Sequence, residues 1–316
     1  MISRGVLESI GNTPLVELHK IVPRNSARVL VKLEWANPTG GMKDRMARAV
    51  IERAELDGRL RPGGTVVEYT GGTTGVSLAF VCAAKGYRFH AVFSDAFSNE
   101  KRMTMKAFGA QVTDIFSENR QIKESLFREM IETARKFSQR PGHWWSDQLN
   151  NADAATGYYS LGEEIWNQTN GKIDAFVHSV GTAHSLHGVT QVLWQYNPKI
   201  HIVAVEPSES AILSGGPSGS HQIECIGIGF IPPLWDPKLV NEIMSGSTEE
   251  AIVMARRLAR EEGLFAGTSS GLNVLAALHV AERLGPEATV VTLMVDSGLR
   301  YLSTELYGPH VAGRAT

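Results

Sequence analysis

Hydrophobic positions along most of the chain alternate between two periodicities. Strand-like runs such as "TVVEYT" and "RFHAVFS", the second alternating at Phe89, Ala91 and Phe93, are each followed by a segment with helical spacing. Further strand-like runs are "AQVTDIF", "IDAFVHS", "IHIVAVE" and "ATVVTLMV". Strands that alternate with helices favour a parallel sheet covered by helices. The pattern therefore predicts an α/β protein.

Two irregular stretches interrupt this alternation. A stretch rich in Gly, Pro and Ser at 207–237 predicts a long loop. The segment "SQRPGHWWSDQLNN" at 138–151 predicts a break between two lobes. We expect a smaller lobe at 41–148 and a larger lobe formed by 1–40 together with 149–316.

The segment from Met42 onward predicts an amphipathic helix that carries a lysine on its apolar face. Counting back from Ala47 and Val50 at helical spacing places Lys43 on the apolar face, beside the positive end of the helix dipole. The opposite face is expected to carry Asp44, Arg45, Arg48, Glu52, Arg53 and Glu55. Burial and the dipole both lower the pKa of an amine, so the position favours a lysine that works uncharged. A lysine whose stem merely covers the helix start is the alternative.

Composition narrows the functional classes. The 316 residues are 43% hydrophobic and 20% charged with a net charge of −2, so no broad basic surface for nucleic acid or anionic membrane is expected. The chain has no signal-like N-terminal segment and no run of 18 apolar residues, so we expect a cytoplasmic protein without a membrane partner. Of its two cysteines, Cys82 lies in an apolar run, which favours a buried free thiol over a disulfide.

Three glycine-rich turns precede predicted helices, and we expect each to follow a strand. They are "TGGTTG" at 70–75, "SVGTAHSLHG" at 179–188 and "AGTSSG" at 266–271. Helix N-termini at this edge of an α/β sheet present free N–H groups to anions. One such turn is weak evidence, but three turns with Ser or Thr hydroxyls indicate a ligand with several anionic or polar groups.

Nucleotide and metal sites fit the motifs less well. "GGMKD" lacks the glycine spacing of a P-loop, and none of the three turns reads G-x-G-x-x-G, which leaves a dinucleotide as a weak alternative. His178, His184 and His187 lie close in sequence, but no Cys or carboxylate joins them at ligand spacing, so no metal is expected. A buried neutral lysine with several anion-binding turns fits a Schiff base to pyridoxal phosphate.

With these residues the chain resembles the fold-type II pyridoxal phosphate enzymes, and within them the cysteine synthase and cystathionine β-synthase family. The resemblance is carried by "IGNTPLVEL", "VKLEWANPTGGMKDR", "EYTGGTTGVSLA", "IGIGFIP", "EEGLFAGTSSG" and "DSGLRYLST", which together span nearly the whole chain. It implies a tryptophan synthase β-like architecture in which each lobe is a mostly parallel twisted sheet covered by helices. It also implies pyridoxal 5′-phosphate between the lobes and a homodimer.

The resemblance further implies roles for matching residues. Lys43 would form the Schiff base and move the substrate's α-proton. The α-carboxylate of the substrate would be bound by Thr70, Gly71, Gly72, Thr74 and Gln148. The cofactor phosphate would be bound by Gly181, Thr182, Ala183, His184 and Ser185. Thr73 would contact the 3′-oxygen, and Ser269 the pyridine nitrogen. Ordinary helix capping by Ser269 or Ser270, and loop hydrogen bonding by Gln148, are the alternatives.

Four positions depart from the family pattern. Gly71 replaces a usual Ser, and Thr73 replaces a usual Asn, whose amide is longer and carries more donors than a hydroxyl. Ala183 and His184 replace two glycines, and either residue would be strained if its φ were positive. These departures favour a relative with a modified substrate over a standard cysteine synthase.

The reaction implied by the resemblance is β-replacement on an activated L-serine, such as O-acetyl-L-serine, through an aminoacrylate. Sulfide or another small thiol or amine would be the nucleophile. One alternative is a lyase of the same fold, of the cysteine desulfhydrase or serine/threonine dehydratase type. A non-catalytic partner protein that binds the cofactor is another.

Overall fold

The computed structural model describes residues 5–308 and contains two mostly parallel sheets. Its strands are β1 (Leu15–Glu17), β2 (Arg28–Leu33), β3 (Thr65–Tyr69), β4 (Arg88–Ser94), β5 (Gln111–Ile115), β6 (His143–Trp145), β7 (Ala175–Ser179), β8 (His201–Pro207), β9 (Glu242–Gly246) and β10 (Thr289–Met294). One sheet has the order β1-β2-β10-β7-β8-β9, in which the β1–β2 pair is antiparallel and the other pairs are parallel. The other has the order β5-β4-β3-β6 and is parallel throughout.

Helices alternate with these strands, as the sequence predicts. They are α1 (Lys43–Leu56), α2 (Thr73–Lys85), α3 (Asn99–Ala107), α4 (Glu124–Ser138), α5 (Asp153–Thr156), α6 (Tyr159–Gln168), α7 (His184–Tyr196), α8 (Thr248–Arg257) and α9 (Thr268–Leu284). A π-helical turn at Leu258–Glu262 extends α8, and short 3-10 turns occur elsewhere. Within residues 5–308, no helix combines the length and apolarity that crossing a bilayer requires.

The central strands are buried on both faces. Every residue of β3, β7 and β10 is buried, because helices cover each side of a parallel sheet. This explains why "ATVVTLMV" reads as a buried strand and "TVVEYT" as a β-branched run, and neither shows an alternation of apolar and polar residues. The strand–helix order thus confirms the predicted α/β class.

Two sequence expectations about connections need correction. The turn at 266–271 does not follow a strand, since Ala266 forms just an isolated antiparallel bridge with Ser297 before α9 begins. The segment at 138–151 is not wholly irregular, because β6 lies inside it and pairs with β3. The four-stranded sheet falls within 41–148, but the lobe boundaries stay a prediction. The ends of the predicted larger lobe, 1–4 and 309–316, lie outside the described residues.

The start of α1 is held by buried charges that the sequence pattern assigns to solvent. Asp44 is fully buried and accepts hydrogen bonds from the backbone N–H and hydroxyl of Thr39. Arg45 is also buried and forms ion pairs with Glu34 at 2.7 Å and Glu164 at 2.8 Å. Charges can be buried when each is paired and hydrogen-bonded, and these partners come from distant parts of the chain. Their contacts fix the helix end that carries Lys43.

Arg45→Ala is expected to destabilise the fold by about 3–5 kcal/mol, because it leaves the buried carboxylate of Glu34 without its cation and leaves Glu164 with Lys32 alone. Urea unfolding would measure this loss. Arg53→Ala, at an exposed position of the same helix, is the matched control and should cost less than about 1 kcal/mol.

The same variant should also change the acid limb of the stability curve. Burial opposes ionisation of Glu164, but Arg45 and Lys32 outweigh it and lower its pKa to about 2. The stability that Glu164 contributes is therefore present above its unfolded pKa and lost as pH falls toward 2. In the Arg45→Ala variant, the free energy of unfolding should therefore fall less steeply between the unfolded pKa of Glu164 and pH 2. The same pH dependence in variant and wild type would contradict the role given to Glu164.

Candidate active site

A cavity lies at the carboxyl ends of β3 and β7, where loops from both sheets meet. It is lined by Lys43, Tyr69, Gly71, Gly72, Thr73, Thr74, Phe97, Ile122, Phe127, Gln148, Gly181, Thr182, Cys225, Ile226 and Ile228. The edge formed by strand ends and helix starts is where open α/β sheets bind ligands. Eight of the residues predicted as site residues line this one cavity: Lys43, Gly71, Gly72, Thr73, Thr74, Gln148, Gly181 and Thr182.

Lys43 is the first residue of α1 and is 8% exposed. Burial lowers its pKa to about 8, although the nearby Cys225 acts in the opposite direction. Its Nζ lies 5.7 Å from the centroid of the Tyr158 ring, and no carboxylate in the described part of the chain forms an ion pair with it. A buried amine without a counter-ion is partly neutral near pH 8, which a nucleophilic or basic lysine requires.

The loop that follows β3 is closed by Thr70. The hydroxyl oxygen of Thr70 accepts hydrogen bonds from the backbone N–H groups of Gly72 and Gly75, both at 2.9 Å. Gly72 has φ +114°, and a side chain there would clash with the stem of Lys101. Thr70 is fully buried behind the cavity wall, so its hydroxyl shapes the loop, while the residues from Gly71 to Thr74 face the cavity.

The packing of Phe97 explains the glycine at position 71. A Cβ atom on Gly71 would lie 3.2 Å from the ring of Phe97, which is tighter than ordinary van der Waals contact. Phe97 in turn lies against Phe127, with the ring centroids 6.2 Å apart. A serine at position 71 would therefore require this aromatic pair to move.

Gln148 is fixed to the same loop from the other side. Its Oε1 accepts a hydrogen bond from the Thr74 hydroxyl at 2.8 Å, and its Nε2 donates to the Tyr69 carbonyl at 2.7 Å. Its backbone N–H donates to Glu68, whose carboxyl group also accepts from Ser146. Burial raises the pKa of Glu68 to about 8. Both ends of the Gln148 amide are thus held beside the loop.

The turn before α7 contains a strained residue. Ala183 has φ +71°, so the backbone strain that a positive φ would cause at this position is present. Gly181 and Thr182 line the cavity, and a side chain at Gly181 would clash with the Cys225 carbonyl. The turn at 181–185 leads directly into the N-terminus of α7, and both can present backbone N–H groups. An anion site requires this combination.

His184 begins α7 and is almost fully buried. Burial, then the charge of Lys43, lowers its pKa to about 3, so the imidazole is neutral. Its Nδ1 lies 3.1 Å from the Thr182 hydroxyl, whereas its Nε2 has no hydrogen-bond partner among the described residues. The next residue, Ser185, is bonded to Nε2 of His178 at 2.8 Å.

Ser269 is the second residue of α9, and its hydroxyl has no hydrogen-bond partner among residues 5–308, although the side chain is 1% exposed. Ordinary capping is not its role, because the N-cap residue of α9 is Gly267. Ser270 likewise does not cap the helix, since its hydroxyl accepts from the backbone N–H of Val295 at 2.9 Å. Buried polar atoms without partners are uncommon, so Ser269 Oγ fits a contact to a bound group.

The three neighbouring histidines are engaged separately. His178 is held between Ser185 and Asn273. His187 stacks on Trp235, with 5.5 Å between the ring centroids. Within residues 5–308, no group of three His, Cys, Asp or Glu side chains is arranged to hold a metal ion.

Sequence reasoning missed the apolar part of the cavity and Cys225. Phe97 and Ile122 lie in the irregular segments before α3 and α4, which carry no periodicity, and the periodicity of α4 does not show that Phe127 reaches a cavity. "IGIGFIP" pointed to the family but not to Ile226 and Ile228 as lining residues. No sequence pattern predicts that Cys225 lines the cavity, because its position depends on a loop that folds back onto the 181–185 turn. Cys82 is a buried free thiol, as expected.

The observed site fits pyridoxal phosphate. The described residues supply a buried amine at Lys43, a turn at 181–185 whose Gly181 and Thr182 line the cavity, and, outside the cavity lining, unpartnered buried atoms at Ser269 Oγ and His184 Nε2. An amine, an anion-binding turn and a hydroxyl are the groups that an aldehyde, a phosphate and a ring nitrogen need. The fold and site therefore define an enzyme that binds a phosphorylated aldehyde cofactor.

Comparison with known proteins identifies the family. The family model described as "Pyridoxal-phosphate dependent enzyme" matches residues 6–296, so the chain belongs to this family and uses pyridoxal 5′-phosphate. A cysteine synthase of Staphylococcus aureus is 41% identical over 304 residues, 96% of both chains.

Solved structures agree with this assignment. The crystal structure of O-ureido-L-serine synthase matches with a TM-score of 0.91 and 35% identity, covering 99% of this chain and 98% of that one. That of cysteine synthase from Entamoeba histolytica matches with a TM-score of 0.90 and 37% identity, covering 97% and 91%.

Acidification should destabilise the protein through His178. Burial, then the charge of Lys43, lowers the pKa of this histidine to about 3, below its unfolded value near 6.5. The unfolded chain therefore binds a proton that the folded protein excludes, and stability falls by up to about 1.4 kcal/mol per pH unit below 6.5. His178→Asn should make this fall shallower in urea unfolding between pH 6.5 and 4. His19→Asn, at an exposed position, is the control, and equal slopes in both variants would contradict the prediction.

Proposed function

We propose that the protein catalyses β-replacement on an activated L-serine resembling O-acetyl-L-serine, with sulfide or another small thiol or amine as nucleophile. The observation that carries this proposal is that the amine of Lys43 faces the same cavity as the loop from Gly71 to Thr74 and Gln148. The names of the relatives, cysteine synthase and O-ureido-L-serine synthase, support this class of reaction.

The cofactor would be held at four points. Lys43 would bind its aldehyde carbon, the 181–185 turn and the start of α7 would bind its phosphate, and Ser269 would face its ring nitrogen. Thr73, at the start of α2, would contact its 3′-oxygen. When bound, pyridoxal phosphate supplies an electron sink that stabilises negative charge at the substrate's α-carbon.

The residues around this group would orient the substrate and move its proton. N–H groups at the start of α2 suit the α-carboxylate, because they combine hydrogen-bond donors with the positive end of a helix, and Gln148 holds Thr74 in place beside them. The Nζ of Lys43 would take the α-proton. Since burial lowers the pKa of this amine to about 8, it is a far better base near neutral pH than an exposed lysine.

The apolar side of the cavity favours replacement over hydrolysis. Phe97, Ile122, Phe127 and Ile228 are buried apolar residues that line the cavity. A wall of this kind excludes water, so a nucleophile bound there reacts before water can. It is also too apolar to bind a large charged nucleophile at low cost.

We further propose that the protein works as a homodimer in the cytoplasm. The family resemblance supports the dimer, and the composition supports the location. Light scattering of the purified protein would measure the oligomeric state.

Lys43→Ala should abolish the visible absorption band of the lysine-bound cofactor, because it removes the amine that binds the aldehyde. Wild-type protein should show this band and form cysteine from O-acetyl-L-serine and sulfide, whereas the variant should lose at least about 10³-fold in kcat. Lys85→Ala, whose lysine pairs with Glu55 away from the cavity, is the control and should keep both properties.

Product analysis separates the proposed reaction from its alternatives. Pyruvate formed at equal rates with and without sulfide would show a lyase instead. A wild-type protein with excess cofactor and no visible band would contradict the enzymatic proposal and leave a non-catalytic partner protein.

Gln148→Ala should raise KM for O-acetyl-L-serine by about tenfold with a smaller change in kcat, because it removes the amide that holds Thr74 and the Tyr69 carbonyl in place at the loop that would bind the carboxylate. Steady-state kinetics at fixed sulfide would measure this. Asn150→Ala is the matched control, since Asn150 is an exposed residue of the same loop and bonds to Asp147. Similar KM values for the two variants would argue against a substrate role for Gln148.

A further inference from the structure

One side of the cavity is supported by a closed ring of hydrogen-bonded side chains. Its members, in order, are Thr73, Cys225, Lys101, Tyr301 and Asp296, and Asp296 connects back to Thr73. All of them except Cys225 are almost fully buried. Thr73 and Cys225 are the two members that line the cavity. The ring therefore has one polar pair that a ligand in the cavity can contact.

Cys225 occupies its place in the ring at a conformational cost. Its φ is +73°, in the left-handed region that glycine adopts freely and a residue with a Cβ atom does not. Asn and Asp are the residues best able to tolerate this region, and cysteine has no such ability. Strain at a ligand-facing position is maintained when the side chain contributes something that glycine cannot.

The thiol is the principal partner of the Thr73 hydroxyl. Sγ of Cys225 lies 3.0 Å from Oγ1 of Thr73, whereas the other partner, Asp296 Oδ2, is at 3.4 Å, near the limit for a hydrogen bond. Thr73 donates its single hydroxyl proton to Asp296 Oδ2, so Oγ1 can accept the S–H of Cys225, and the two contacts together fix the direction of the hydroxyl. Removing the thiol would leave Thr73 with its weaker contact alone.

Lys101 fixes the thiol from behind. Its Nζ lies 3.7 Å from Sγ and is anchored by Glu224 at 2.5 Å and by the Tyr301 hydroxyl at 3.2 Å. Its ammonium also stands 4.4 Å from the centroid of the Tyr301 ring. The ammonium group of Lys101 is therefore fixed in position, and the polarisable sulfur atom connects it to the Thr73 hydroxyl.

We propose that Cys225 is a positioning residue for the cofactor: its thiol orients the Thr73 hydroxyl and links it to Lys101, thereby tuning cofactor affinity and visible absorption. The inference rests on the proposed location of the cofactor in this cavity. It assigns to the Thr73–Cys225 pair the contact that the resemblance assigns to an asparagine at position 73. A short hydroxyl needs such a second residue to fix its direction, whereas a longer amide does not.

The test compares Cys225→Ala, Cys225→Gly and Cys225→Ser with wild type. Titration of each apoprotein with pyridoxal phosphate would give the dissociation constant and the position of the visible band. We expect Cys225→Ala and Cys225→Gly to weaken binding by about tenfold and to shift the band, because both lose the contact to Thr73. Cys225→Ser keeps a polar atom at the same place and should restore both values to near those of wild type. If the Cys225 side chain only filled space, Cys225→Ala would bind the cofactor about as tightly as wild type and the visible band would not move.

A double-mutant cycle isolates the pair. In a Thr73→Val background, Cys225→Ala should have little further effect on affinity or on the band, because the hydroxyl that it orients is already gone. Additive effects of the two substitutions would overturn the proposal. Cys225→Gly relieves the backbone strain, so this variant tests the contact even if Cys225→Ala folds poorly.

Thiol labelling of unmodified protein gives a second readout. Cys225 is partly exposed in the cavity and Cys82 is buried, so a disulfide reagent such as dithiobis(nitrobenzoate) should label one thiol rapidly in the apoprotein. Bound cofactor should slow that reaction by at least about tenfold, because it would cover the sulfur. An unchanged labelling rate would overturn the proposal. Wild-type protein without any lysine-bound band would instead contradict the proposed function itself.

Discussion

The structure depends above all on keeping the amine of Lys43 out of water at the amino end of a helix. This position opposes protonation twice, through burial and through the helix dipole. Such an arrangement is unstable unless the helix end is held firmly, and the buried pairs of Arg45 with Glu34 and Glu164 hold it. These buried pairs thus fix the position of the helix end that carries the amine.

The remainder of the site follows from where the parallel strands end. β3 and β7 belong to different sheets, yet residues of the 70–75 loop and of the 181–185 turn that follow them line the same cavity. Glycine is required where these loops approach other chain segments, as at Gly72 against Lys101 and Gly181 against Cys225. Backbone groups therefore supply much of the binding surface, and a small number of side chains determine its chemistry.

Sequence periodicity predicted most of the strands and helices and the place of Lys43 on α1, because these follow from local spacing, but it missed β1, β2, β6, β9, α5 and α6. It failed where the deciding contact is distant in sequence. Arg45 reads as solvent-facing until Glu164, more than a hundred residues later, supplies its partner. The positive φ of Ala183 could not be predicted from the sequence, because alanine does not indicate such a conformation. Cys225 and the aromatic wall were missed for the same reason: loops bring them to the cavity, and no repeat marks them.

The order of the strands has a consequence for how the chain folds during synthesis. β3 to β6 are contiguous, so the four-stranded sheet can assemble from residues 65–145 while the rest is still being made. The six-stranded sheet cannot, because β10 lies between β2 and β7 and is made nearly last. Pairing β2 with β10 closes a loop of most of the chain, which makes it a slow, late step. Pulsed hydrogen exchange should accordingly protect β3 and β4 before β2. Until β10 arrives, the nascent chain exposes two unpaired apolar strand edges, which makes this interval the one most prone to aggregation.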